Sequence, residues 1–365
     1  MTGHHEIPTP TQLDALWGHR GPCSTSIYLP TDASDPRRHA DVARFAGLVD
    51  RAVDRLAASE CSPDDVRWVR DQLDDLAADE DFWARRAESL AVLATPSVTR
   101  TFRLANQLGE SVSVSDRFHL TPLARAVTFP QAAYVLALAA GGARLLEIGP
   151  EGPPEQVDVP DLPRDAWDPR SNAVFRARDR AYVRRIDDAI RPWLTGSPLP
   201  LVLAATETIA ALYRTVSTAP QLVEQRVPGN PEETTDAELA ALVRPILDEL
   251  YADEVTALGD RFTARAGQGR AATDLADLGR LATVGAIDTL IVDLAASTPG
   301  SLDEHTGAVT FASGDGPGEH DVIDEIARRT HLAGGRVLAL RRGEVPGGGP
   351  AAALLRYVPD AAAFA

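Results

Sequence analysis

Apolar positions along this chain fall into two rhythms. Between residues 38 and 58, Val42, Phe45, Ala46, Val49, Val53 and Leu56 recur three or four apart, which places them on one face of a helix. Ser62, Pro63 and Asp65 form a start signal for a second helix: a capping hydroxyl, a proline at the first turn and an acid behind it. A short helix from Pro8 to Gly18 and a β-rich run from Ser24 to Leu29, ended by Pro30, precede them. Strands from Ser89 to Thr95 and from Arg100 to Leu104 follow, completing an N-terminal α/β module.

After Pro130 the pattern changes. Two apolar runs broken at Gly141 and Gly142 predict a hairpin. A polar, proline-rich stretch from Gly149 to Asn172 then leads into a helix from Ala173 to Trp193, a strand from Leu199 to Ala205 and a helix capped by Thr206.

A second boundary lies near Pro228 to Thr234. Thr235 and Glu238 make a capping box for a long helix, with Leu239, Leu242, Ile246, Leu250 and Val255 as its apolar positions. A helix from Asp274 to Thr283, a buried strand from Ile287 to Leu294 and an acidic loop from Ser301 to Glu319 come next. A helix from Asp321 to His331 and strands from Arg336 to Arg341 and from Ala351 to Tyr357 finish the chain. The fold class predicted is α/β, as three α/β domains over residues 1–127, 128–230 and 231–365, the last with a largely parallel sheet.

Composition narrows the chemistry. All 36 basic residues are arginine, so a Walker lysine, a Schiff-base lysine and a Ser-Lys dyad are excluded. The net charge of −17 opposes indiscriminate coating of nucleic acid and leaves only a local basic patch for that purpose. No apolar run reaches the roughly 20 residues of a membrane span, and the N-terminus lacks the order of a signal peptide, so a cytoplasmic protein without membrane or DNA partners is expected. Cys23 and Cys61 are expected to be reduced and buried.

One local anomaly stands against the acidic background. Arg170, Arg176, Arg178, Arg180, Arg184, Arg185 and Arg191 gather against only Asp179, Asp187 and Asp188. At about 100° per residue, Arg176, Arg180, Arg184 and Arg191 share a face beside an apolar stripe of Phe175, Tyr182, Val183, Ile186 and Ile190. Two readings stand: a row of guanidiniums that grips an RNA backbone, or a solvated face with Asp187 paired to Arg184 and Arg191.

Gly285-Ala286-Ile287-Asp288-Thr289-Leu290 and the terminal Gly347-Gly348-Gly349-Pro350-Ala351-Ala352-Ala353-Leu354-Leu355-Arg356-Tyr357 resemble segments of the C-terminal domain of archaeal and eukaryotic release factors and Pelota. The element order from Ala132 to Ala211 is similar to that family's middle domain, and the nearest group is the bacterial archaeo-eukaryotic release-factor-like family. The resemblance implies a release-factor-like middle domain, a ribosomal-protein-like C-terminal domain and a ribosome or ribosomal-RNA partner. Arg170, Arg176, Arg178, Arg180, Arg184 and Arg191 are then the expected RNA contacts.

The family's hydrolysis depends on Gly-Gly-Gln in the middle-domain loop. The corresponding stretch here, Gly149 to Asn172, lacks it, as does the rest of the chain. The expectation is therefore a ribosome-associated protein acting by binding, in dormancy, rescue or regulation of translation, without peptidyl-tRNA hydrolysis, catalytic residues or a cofactor. Two alternatives stay open: a tRNA-directed hydrolase or nuclease using Glu155, Gln156, Asp158, Asp161, Asp165 and Asp168, and a non-catalytic scaffold.

Other candidates are read as bland. Asp303, Glu304, His305, Asp315, Glu319, His320 and Asp321 match no metal-loop spacing and are expected to form a solvated acidic loop without metal. No Gly-x-Ser-x-Gly elbow occurs, and no spaced histidine pair shares a helix.

Overall fold

The computed structural model describes residues 7–31, 39–84, 87–129, 131–149, 154–163, 173–294, 296–312 and 320–359. Helix α1 (Pro10–Gly18) opens on a complete capping box between Thr9 and Gln12. Strand β1 (Ser24–Pro30) is one of the two inner strands of a four-stranded sheet. α2 (His39–Ala57), α3 (Pro63–Ala78) and α4 (Glu80–Ala84) follow, and the Ser62 hydroxyl accepts the Asp65 N–H at 3.1 Å, as its capping signal predicts. β2 (Ser89–Ala94), β3 (Thr99–Leu104) and β4 (Ser111–Ser115) complete an antiparallel sheet ordered β3-β2-β1-β4. α5 (Thr121–Thr128) ends this segment.

The cysteine expectation is corrected. Cys23, at the foot of β1, and Cys61, in the α2–α3 turn, form a disulfide with their Cα atoms 5.7 Å apart. Compartment arguments carry no information about which residues the fold brings together.

β5 (Ala133–Ala139) and β6 (Gly142–Ile148) form the hairpin read from the sequence. β7 (Glu155–Val157) then adds an edge strand inside the stretch read as loop. After α6 (Ala173–Leu194) come β8 (Leu201–Ala205), α7 (Glu207–Arg214) and β9 (Leu222–Pro228). The mixed sheet runs β7-β6-β5-β8-β9, with β8 parallel to both of its neighbours.

One face of this sheet, through Val135, Leu146, Val202 and Ala204, packs on Leu239, Ala240 and Val243 of α8 (Asp236–Ala266). Strand alternation turns the neighbouring positions to the opposite face. The Thr235–Glu238 capping box opens α8 as expected. Leu242, read as an inward position of that helix, is instead 51% exposed.

The last segment holds β10 (Ala271–Ala272), α9 (Leu275–Thr283), β11 (Ile287–Asp293), β12 (Pro299–Leu302), β13 (Val309–Phe311), β14 (His320–Asp321), α10 (Val322–Leu332), β15 (Arg336–Leu340) and β16 (Ala351–Leu355). Its main sheet is ordered β10-β16-β11-β15, and only β11 and β15 pair in parallel. The expectation of a largely parallel sheet is therefore corrected: β16 returns antiparallel beside β11 after the Gly347–Gly349 turn. Part of the acidic loop is a small sheet, β13-β12-β14. Gly279 on α9 meets Gly307 so closely that a Cβ on Gly307 would lie 2.4 Å from the Gly279 carbonyl oxygen, and Gly307 also has a φ of +69°.

The chain divides into two compact units, one of residues 130–252 and one combining residues 5–129 with 253–365. In the second, the segments read as first and third domains share a core: Trp17, Tyr28, Leu120 and Leu123 pack with Leu278, Ile326 and Leu355. Buried Asp324 on α10 accepts the Leu120 and Thr121 N–H groups and the Thr121 hydroxyl, each at 2.8 Å. His119 Nδ1 lies 3.3 Å from the same carboxylate oxygen. Burial alone would lower the histidine's pKa, but Asp324 outweighs it and raises the value. Burial would raise Asp324; His119, Thr121 and Leu120 together hold it below the ordinary aspartate value.

Beside this pair, Glu325 is bound by Arg117, Arg328 and Arg329. Its desolvation is overcome by those guanidiniums, and its pKa falls to about 2.

Candidate nucleic-acid interface

Helix α6 is held by its apolar stripe. Val183, Ile186 and Ile190 are fully buried and Leu194 nearly so, each contributing about 1.5–3 kcal/mol through removal from water. Asp187 interrupts the stripe and is itself buried, so it requires partners. The Tyr213 hydroxyl on α7 donates to it at 2.9 Å and Arg191 at 2.8 Å. Burial is the main cause that pushes the Tyr213 hydroxyl pKa up, with the Asp187 charge adding to it.

The predicted arginines separate into groups. Arg180 and Arg184 are exposed, and neither has an ion pair or hydrogen bond among the described residues. Arg191 is exposed as well but is committed to Asp187 and to Asp188, the latter at 3.1 Å. The pairing of Asp187 with Arg191 holds, whereas no ion pair joins it to Arg184. Arg176 and Arg178 stand in α6 with side chains outside the described atoms, and Arg170 lies outside the described residues. Arg185, exposed and next to Arg184, is turned to a separate cleft.

That cleft, of about 910 Å³, lies between α6 and the β6–β7 edge. It gathers Glu155, Gln156, Asp158 and Asp161, four of the polar residues considered for a substitute catalytic loop, while Asp165 and Asp168 lie outside the described residues. Glu147, Asp188 and Trp193 join its wall. Sequence reading missed these three, and the only signal was an acid at Glu147 inside the apolar β6. Opposite Glu147 in the hairpin, Tyr134 has its pKa pushed up to about 12 by burial first and the Glu147 charge second.

Among the described residues no group of three or more His, Cys, Asp or Glu side chains is placed to hold a metal ion. In the acidic loop, Asp303 caps its own turn by accepting the His305 and Thr306 N–H groups, and Asp321 caps α10 through the Ile323 N–H. Asp315 and Glu319 lie outside the described residues, as does the His320 side chain. No helix among the described residues is long and apolar enough to cross a membrane.

Residues 130–253 match the family model described as bacterial archaeo-eukaryotic release factor family 11. Among solved structures, a model of ribosome-bound archaeal Pelota and ABCE1 aligns at 16% identity and a TM-score of 0.43, covering 77% of this chain and 75% of that one. Dom34 of S. cerevisiae, a translation termination-like factor, aligns at 11% identity and a TM-score of 0.43, over 74% of this chain and 80% of its own. The archaeal translation termination factor aRF1 covers 94% of this chain and 96% of its own at 12% identity and a TM-score of 0.25. None of the curated proteins compared with the chain matches it. The family that this chain resembles is thus the bacterial archaeo-eukaryotic release factors, family 11, and the matched residues run from the β5–β6 hairpin through the arginine helix into α8.

Proposed function

We propose that this chain is a translation-related, release-factor-like protein that binds the ribosome through the arginine face of α6 and acts by occupancy, in dormancy, rescue or regulation. The observation that carries the reading is the state of Arg180 and Arg184: two exposed guanidiniums one helical turn apart, without protein partners among the described residues, inside the family-matched segment. Guanidiniums so placed are available to phosphate oxygens, and a local row of them suits specific docking of an otherwise acidic body. The absence of Gly-Gly-Gln from the sequence supports action without peptidyl-tRNA hydrolysis.

Pelleting the full chain with vacant 70S ribosomes through sucrose at two salt concentrations tests this. Salt-sensitive co-sedimentation is expected, because phosphate contacts release counterions. Failure to pellet at low salt removes the proposal.

A second reading, a hydrolase or nuclease directed at tRNA, draws on the cleft that brings Glu155, Gln156, Asp158 and Asp161 together. Its test is cleavage of tRNA or peptidyl-tRNA by the full chain with and without added divalent cation. Activity lost on deletion of residues 153–169 supports it, and no turnover in either condition rejects it.

A further inference from the structure

Helix α3 presents an unusual outer face. Val69 and Leu73 bury its inner side, while Asp64, Trp68, Asp71 and Asp75, spaced four, three and four apart, share the side that faces solvent. Trp68 is 54% exposed and Val98, in the β2–β3 turn, 44%.

Gln72 fixes the two relative to each other. Its amide nitrogen lies 3.1 Å from the Trp68 carbonyl oxygen and 3.0 and 3.2 Å from those of Thr95 and Pro96. Its amide oxygen accepts the Thr99 hydroxyl at 3.1 Å. The apolar edge is thus preorganised, which lowers the ordering cost of binding.

The surface already binds one cation of the kind proposed. The Arg67 guanidinium sits 6.0 Å from the Trp68 ring centroid while pairing with Asp64 at 3.0 Å, so carboxylate and indole hold a guanidinium together. Asp71 and Asp75 repeat the carboxylate position on the other side of Trp68, and neither has a partner among the described residues. Single exposed aliphatic residues are ordinary on protein surfaces, but a half-exposed tryptophan flanked by an Asp64–Arg67 pair on one side and, on the other, by two carboxylates without a partner among the described residues has the composition of an interface anchor.

We propose that this α3 face, with Val98 at its edge, docks an arginine-rich amphipathic segment of a partner protein. Arginines of that segment pair with Asp71 and Asp75 and cover the indole, and its apolar residues lie over Trp68 and Val98. The carboxylates repel nucleic acid, so this face is distinct in chemistry from the arginine face of α6.

The test is fluorescence anisotropy of the full chain with a labelled helical peptide that carries arginines four apart on one face and leucines on the adjoining one. A scrambled peptide of equal composition is the control. The ordered peptide is expected to bind about tenfold more tightly than the scrambled one, and Trp68→Ser or the pair Asp71→Asn and Asp75→Asn to remove most of that difference with the melting temperature unchanged. Equal binding of both peptides, or of both variants and the parent, would overturn the proposal by assigning the attraction to net charge alone. A self-association in sedimentation equilibrium that disappears in Trp68→Ser would also overturn it, by assigning the face to a second copy.

Discussion

The Tyr213 hydroxyl donates a hydrogen bond to the buried Asp187 carboxylate at 2.9 Å, joining α7 to α6. Arg191 completes the neutralisation of Asp187 from the solvent side. This division of labour ties Arg191 to the packing of the helix, whereas Arg180 and Arg184 stand exposed without a partner among the described residues.

Tyr213→Phe removes a donor from a buried charge and is expected to cost about 1.5–3 kcal/mol, read from urea unfolding. Arg191→Ala should lower the melting temperature, while Arg180→Ala and Arg184→Ala should stay within about 0.5 kcal/mol of the parent. Loss of stability in the latter two and none in Arg191→Ala would reverse the assignment.

The His119–Asp324 pair predicts a pH window. Asp324 is depressed, so its contribution is fully present above the ordinary aspartate value of 3.8 and is lost as pH falls through its lower folded value. His119 is raised, so its contribution is fully present below 6.5 and is lost as pH rises through its folded value. Both operate between those limits. The urea midpoint of the parent should be higher at pH 5 than at pH 8.5, and this difference should shrink in His119→Gln; an unchanged difference would place its origin elsewhere.

Glu325→Gln leaves Arg117, Arg328 and Arg329 crowded around a neutral amide. Breaking a buried ion cluster in this way is expected to destabilise by about 3–5 kcal/mol. With the Glu325 pKa at about 2, its contribution should be fully present above the ordinary glutamate value of 4.5 and be lost progressively as pH falls from there towards 2. Acid titration of the parent, followed by circular dichroism, checks the pH dependence, and comparison of the two proteins in urea checks the size.

The Cys23–Cys61 disulfide closes a loop with a sequence separation of 38 residues. Chain entropy assigns such a link about 4 kcal/mol, so reduction should lower the unfolding midpoint. Thiol titration in denaturant should find none before reduction and two after it. Two reactive thiols in the untreated protein would contradict the bond.

Local signals made much of this fold legible. The Ser62 cap and the Thr235–Glu238 box act through side chains close in sequence, and both stand where the residues place them. β4 and β7 escaped because Ser111–Ser115 and Glu155–Val157 carry few apolar side chains, and sheet partners rather than their own composition make them strands. Leu242 misled because periodicity names a face of α8 without saying how much of its length a sheet covers. Of the site, the exposed arginines were readable from charge pattern, but the capture of Arg191 by a buried aspartate depends on Tyr213 from another helix. The same holds for the disulfide and for the shared core of Trp17 and Ile326, which are facts of tertiary proximity.

The central claim is tested most directly by comparing the parent with the double variant Arg180→Glu and Arg184→Glu in ribosome pelleting across a salt series. A stably folded variant that loses binding, against a parent whose binding falls steeply with salt, is the result predicted. Equal pelleting of variant and parent at every salt concentration would contradict it.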